Sequence, residues 1–154
     1  MIVPVWKTLL VPTDFSEGAR VALRLAAEVA RVHGAKLVLL HVAELLPGIT
    51  PDTVIQPEGA GAPTRVEDFT RLQAQGWMDQ DRAIAATGVE VVTDVVLGPA
   101  IQSILEAAAK HGADLIVMGT HGRTGLAHFM LGSVTERVVR QSPVPVLTVR
   151  APKR

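Results

Sequence analysis

Two short stretches hold the residue types that phosphate and sugar chemistry needs. The first, "GTHGRTGLAHFMLGS", runs from Gly119 to Ser133 and places four glycines directly after the apolar run "ADLIVM". Glycine lets another group approach bare backbone. Gly119 and Gly122 bracket Thr120 and His121, and "GSVTERVV" from Gly132 reads as a helix opening. Free N–H groups and the helix dipole at such an opening favour an anion. A turn at Gly119–Gly122 and a helix start at Gly132–Thr135 would together cradle a triphosphate, with Ser133 and Thr135 adding hydroxyl donors. The bland alternative is structural. Loop glycines are usually turn residues, and "SVTE" is also a capping box, with Ser133 as N-cap and Glu136 three residues on.

The second stretch is "VPTDFS". Asp14 lies just past an apolar run, where a carboxylate can accept both hydroxyls of a ribose. Its structural alternative is to cap the following helix. Ser16 already suits that role, which leaves Asp14 partly spare. Neither stretch is a Walker A loop, and no G-x-G-x-x-G follows the first apolar run, so P-loop hydrolysis and Rossmann-type hydride transfer lose support. Arg123 would neutralise phosphate charge, or is simply an exposed loop arginine. His121 and His128 have no carboxylate partner evident in the sequence, so no catalytic residue is assigned. No metal-ligand spacing of histidines occurs, and a protein-ligated metal is not expected. His41, within an apolar run, reads as a satisfied strand or pocket-edge residue. Trp6 and Trp77 read as core or interface anchors.

Five apolar runs are the strands that must position these groups: Thr8–Val11, Lys36–Val42, Glu90–Val96, Leu115–Met118 and Val146–Val149. Their near-continuous apolar character suits parallel strands covered on both faces. Helical patterns lie between them. Gly18–His33 carries Val21, Leu25, Ala26, Val29 and Val32 at helical spacing and stops at Gly34. Thr64–Ala86 has Val66, Phe69, Leu72, Trp77 and Ile84 as apolar points. Ala100–His111 ends at Gly112, and Ser133–Gln141 ends before Pro143. This alternation predicts an α/β fold with a mainly parallel sheet. Ala43–Pro63, rich in Pro and Gly, reads as a long mobile surface loop. Ligands in open α/β sheets bind beyond the carboxyl ends of strands, where strand order reverses.

The 154 residues suit one domain, with 48% apolar and 19% charged residues and a net charge of +0. That balance argues against a nucleic-acid binder. With no cysteine, disulfide and thiolate chemistry is excluded. No apolar run reaches the roughly 18–20 residues of a membrane helix. The start, "MIVPVWKTLLVP", shows no signal-peptide pattern, so a cytoplasmic protein without membrane contact is expected.

"LVPTDFSEGARVAL", "KLVLLHV" and "DLIVMGTHGRTGLAHFMLGSVTERVVRQSPVPVLTVR" resemble the universal stress protein family (UspA-like), and most closely its ATP-binding branch. That branch is marked by G-x2-G-x9-G-[ST], matched by Gly119, Gly122, Gly132 and Ser133. The resemblance covers nearly the whole chain, least so Ala43–Pro63. It implies a Rossmann-like, adenine nucleotide alpha hydrolase-like domain, an open five-stranded parallel sheet of order 3-2-1-4-5 with helices on both faces. It also implies that Asp14 holds the ribose and that the Val42 backbone faces the adenine edge. Gly119, Gly122, Gly132, Ser133, Val134 and Thr135 would line the phosphates, and Pro12, Thr13 and Met118 would wall the pocket. Mg²⁺ or Mn²⁺ would be held largely by phosphate oxygens and water. Pro143 and Pro145 place the last run at a sheet edge. An unpaired apolar edge at Val146–Val149 would be covered by a second copy, and the family implies that homodimer too. The leading expectation is a nucleotide-dependent stress-response regulator with an unknown protein partner. The rivals are a slow ATPase or phosphoryl-transfer enzyme and a nucleotide-free interaction module.

Overall fold

The structure is a computed structural model and describes residues 5–59, 61–121 and 131–152. Its main sheet contains β1 (Thr8–Pro12), β2 (Lys36–Ala43), β5 (Val91–Leu97), β6 (Leu115–Gly119) and β7 (Val146–Val149). Their order is β5-β2-β1-β6-β7, all parallel, which is the expected 3-2-1-4-5 arrangement. Strand order reverses between β1 and β6. The helices are α1 (Glu17–His33), α2 (Val66–Ala85), α3 (Ala100–His111) and α4 (Ser133–Gln141).

Alternate strand residues feed two cores, as the period of two requires. Leu9, Val11, Leu37, Leu39 and Val117 pack under α1 and α2, whereas Leu10, Val38, Leu40, Ile116 and Met118 pack under α3 and α4. Each fully buried leucine contributes roughly 1.5–3 kcal/mol. Gly34 and Gly112 end α1 and α3 in the left-handed conformation, as expected from their positions.

The buried faces of α1 and α2 differ from those expected. Leu25 and Val32 are exposed, and α1 instead buries Ala19, Ala22, Leu23, Ala26, Ala27 and Ala30. Gly18, Ala22, Ala26 and Ala30 form a stripe of small residues, which lets the helix lie close to the sheet. Leu72 and Trp77 of α2 also face out, while Ala74, Met78, Asp81 and Ala85 face in. Hydropathy alone favoured the larger residues; the space available favours the small ones.

Two further corrections concern segment ends. Ala43–Pro63 is not wholly irregular, because β3 (Val54–Ile55) pairs antiparallel with β4 (Thr64–Arg65). Those last two residues therefore belong to a hairpin and not to α2. The segment is tied to α2 by Val66 N–H on the Thr53 carbonyl and Glu67 N–H on the Pro51 carbonyl, and to β4 by an Arg65–Asp52 ion pair.

One carboxylate sits within a strand. Asp94 on β5 accepts from Lys110 Nζ at 2.9 Å and lies 2.8 Å from His111 Nε2, both at the end of α3. Burial pushes its carboxyl up, but the hydrogen bonds and charges of His111 and Lys110 outweigh that and hold it below the usual range. A lowered folded-state value stabilises the protein above the unfolded value and is lost as pH falls through the folded one. Asp94→Asn is therefore expected to cost about 1–2 kcal/mol near neutral pH. The difference from wild type should close below the ordinary carboxylate value of 3.8. Urea unfolding across that range checks it, and a gap that widens in acid would contradict it.

Candidate functional site

The carboxyl ends of β1, β2 and β6 open into a pocket of about 240 Å³, beneath the first turns of α1, α3 and α4. Ten expected site residues line it: Pro12, Thr13, Asp14, Val42, Met118, Gly119, Gly132, Ser133, Val134 and Thr135. Gly122 and Arg123 lie outside the described residues, as does His128.

Ser16 is the N-cap of α1, its Oγ accepting from Ala19 N–H at 3.2 Å. Asp14 is therefore not the cap. Its Oδ1 accepts from Ser16 N–H at 3.0 Å, which orients the carboxylate across the turn. On β2, the Leu40 carbonyl accepts the Thr13 N–H at 2.7 Å. Val42, two residues on, presents its backbone groups to the same side, beyond the end of β1.

At the other side of β1, α4 begins at Ser133 with Gly132 as N-cap and no side-chain capping bond. The capping-box reading of Ser133 is thus not realised. The first intrahelical bond runs from Glu136 N–H to the Gly132 carbonyl at 2.9 Å. The N–H groups of Ser133, Val134 and Thr135 consequently have no intrahelical partner, and they sit where the helix dipole favours negative charge. The Thr135 hydroxyl, expected as a phosphate donor, instead donates to the Gly119 carbonyl at 2.9 Å and fixes α4 to β6. The start of α3 is different. Glu44 Oε1 accepts Ala100 N–H at 2.9 Å, so a carboxylate already occupies that helix end. The pocket thus has an apolar side at Leu40, Val42, Ala100 and Ile104 and an anion-favouring side at Gly132–Thr135.

Gly119 has a role the strand-end argument did not supply. A Cβ there would stand 2.9 Å from the Gly18 carbonyl carbon and oxygen, and a Cβ on Gly18 would stand 2.8 Å from the His121 carbonyl oxygen. The two glycines let the first turn of α1 rest directly on the end of β6.

Sequence reasoning passed over Ala19, Leu40, Ala100, Ile104 and His121 as lining residues. Ala100 follows the third strand directly and was findable by the strand-end rule. Ile104 follows one helical turn later. His121 carries a polar signal of its own. Its Nδ1 lies 2.9 Å from Thr120 Oγ1, and its Nε2 is buried with no hydrogen-bond partner. A buried polar atom without a partner among the described residues calls for an explanation, and a ligand in the pocket would supply one. His41 is satisfied, its Nδ1 lying 2.9 Å from the Thr13 carbonyl. Among the described residues, no group of three or more His, Cys, Asp or Glu is placed to hold a metal ion.

The sequence matches the Universal stress protein family over residues 6–150. The universal stress protein MJ0531 of Methanocaldococcus jannaschii is 32% identical over 150 residues, spanning 97% of this chain and 85% of its own. The structure of MJ0577, from the same organism, shares the fold with a TM-score of 0.75 at 30% identity, covering 98% of this chain and 100% of its own. Two more distant universal stress proteins share the fold at 24% identity. One is in complex with cAMP, at a TM-score of 0.64 over 96% of this chain and 98% of its own. The other, from Archaeoglobus fulgidus, is in complex with dAMP, at a TM-score of 0.65 over 94% and 98%. With a matching family signature over most of its length and the sheet order that signature implies, this chain belongs to the universal stress protein family.

Proposed function

We propose that the pocket binds an adenine nucleotide, that its ligand is ATP, and that the protein acts as a nucleotide-dependent stress-response regulator. The observation that carries the reading is the juxtaposition, across the end of β1, of Asp14 with the three N–H groups that open α4 and have no intrahelical partner. A nucleotide needs those two features: an acceptor for sugar hydroxyls and a donor array for phosphate. The orphaned His121 Nε2 adds a polar group that a ligand would satisfy. Relatives of the same fold in complex with cAMP and dAMP support the ligand class.

In this reading Asp14 accepts from the ribose and the Val42 backbone meets the adenine edge, with Pro12, Thr13 and Met118 walling the pocket. Gly119, Gly122, Gly132, Ser133, Val134 and Thr135 line the phosphates, Thr135 through its N–H alone, and Arg123 supplies positive charge. Mg²⁺ or Mn²⁺ would ride on phosphate oxygens and water. The residues provide binding; none is assigned to orient an attacking water, as hydrolysis would require. The whole chain, 1–154, acts as one domain with Ala43–Pro63 as its mobile loop, in the cytoplasm. No helix among the described residues is long and apolar enough to cross a membrane. Among the described residues the edge strand β7 pairs only with β6 in the sheet, and a second copy of the chain covers Val146–Val149.

The test is direct. Protein purified without added nucleotide is denatured, and released small molecules are identified by mass spectrometry. Stoichiometric ATP or ADP is expected. An empty protein that also fails to bind ATP with Mg²⁺ by calorimetry would overturn the reading.

A further inference from the structure

Beneath the β1–α1 turn, Asp81 and Arg20 take no part in the binding scheme above but meet the pocket-lining Thr13. Asp81, on α2, is fully buried. A buried carboxylate is costly unless it is met by partners. Asp81 is met from two sides, by Arg20 Nε of α1 at 2.9 Å and by Thr13 Oγ1 at 3.0 Å. Arg20 is partly exposed while Asp81 is fully buried, and replacing a buried ion pair with apolar residues is often neutral or stabilising, so bulk stability is a poor account of why three elements converge on Asp81.

What the cluster holds is the turn that carries Asp14. The Thr13 hydroxyl donates to Asp81 and accepts the Phe15 N–H at 3.0 Å. The Thr13 carbonyl lies 2.9 Å from His41 Nδ1, and its N–H donates to the Leu40 carbonyl at 2.7 Å. Every polar group of Thr13 is therefore engaged. On the other side of Asp14, Phe15 adopts a φ of 64°, the only non-glycine residue with positive φ among those described. That conformation is uncommon for a bulky residue and persists only where the surroundings enforce it. The Phe15 ring is held 4.5 Å from the His41 ring and 6.0 Å from Trp77. Asp14 thus lies between two residues whose backbone directions are set from outside the turn.

We propose that Asp81, acting through Thr13 and held by Arg20, is a positioning residue that sets the Asp14 carboxylate for the ribose hydroxyls. Asp81 and Arg20 stand outside the pocket lining, so they act on a ligand only through the turn. The α4 side of the pocket does not depend on them. The inference rests on the nucleotide reading of the site and predicts a selective loss: ribose recognition falls while phosphate affinity stays.

Calorimetry with three probes separates the possibilities: ATP, 2′,3′-dideoxy-ATP and inorganic triphosphate. The wild-type protein is expected to prefer ATP over the dideoxy compound by about tenfold or more, the worth of hydrogen bonds to a charged acceptor. Thr13→Val keeps the side-chain volume but removes the hydroxyl, and Thr13→Ser keeps the hydroxyl. Thr13→Val and Asp81→Asn are expected to reduce the preference to about twofold or less with triphosphate affinity unchanged, and Thr13→Ser to retain it. If Asp81→Asn does not fold, as judged by circular dichroism, the Thr13 pair decides alone. A preference that survives intact in Thr13→Val overturns the positioning role while leaving the nucleotide reading standing. A wild-type protein that binds no ATP overturns both, and one that binds ATP and the dideoxy compound equally overturns the ribose role and this inference with it.

Discussion

Gly119→Ala is expected to lower stability by about 2–3 kcal/mol, or roughly 5–10 °C in Tm, although it adds one methyl group. The reason is what that methyl would meet. Its Cβ would stand 2.9 Å from the backbone carbon and oxygen of Gly18, atoms with no rotamer by which to move aside. Relief requires α1 to lift from β6. The helix is seated by Ala22, Ala26 and Ala30 along the same stripe, so lifting it also opens the core beneath. Gly18→Ala meets the His121 carbonyl oxygen at 2.8 Å and should cost a similar amount. Because one displacement relieves both clashes, the double variant should cost less than the sum of the singles. Gly76→Ala is the control. Gly76 lies within α2, nothing stands within 4 Å of its Cβ position, and the change should stabilise by roughly 0.5–1 kcal/mol. Thermal unfolding of the four variants checks the set. A neutral Gly119→Ala would mean that this glycine serves something other than the approach of α1.

That pair of glycines shows where a sequence is legible and where it is not. Gly119 stood out because it ends an apolar strand beside further glycines, and the pocket does form there. The cause of its being glycine could not be read, since it depends on Gly18, a residue far away in the chain. Asp81 was missed for the same reason: its partner Thr13 is 68 positions distant. A lone aspartate in an amphipathic helix looks like a solvent-facing charge. Features set by local chemistry were read well. The strand alternation led to the parallel α/β sheet, Ser16 to the cap of α1, and the strand-end rule to the turn that carries Asp14; the sheet order and Val42 came from the family resemblance. Faces set by available space were read poorly, as Leu25, Val32 and Leu72 show by pointing outward. Ser133 failed differently. The capping-box pattern was present, but the helix starts one residue earlier than that pattern assumes.

The second large effect falls on binding. Asp14→Ala is expected to weaken ATP by about 10- to 100-fold, since charge-assisted hydrogen bonds from two ribose hydroxyls would be lost together. The same substitution should act oppositely on inorganic triphosphate. Asp14 shares its pocket with the N–H groups that open α4, and its negative charge opposes any polyanion placed there. Removing it should strengthen triphosphate binding modestly, and added salt should shrink that gain by screening. Asp14→Asn should fall between, because its carbonyl still accepts one hydroxyl while the charge is gone. Folding should change little by comparison. Ser16 N–H loses one acceptor, a cost of about 1 kcal/mol, while the Ser16 cap on α1 remains. Opposite signs for ATP and triphosphate cannot arise from a general loosening of the pocket, which would weaken both ligands. Parallel losses would assign Asp14 to the fold of the turn, whereas a divergence places its carboxylate on the sugar.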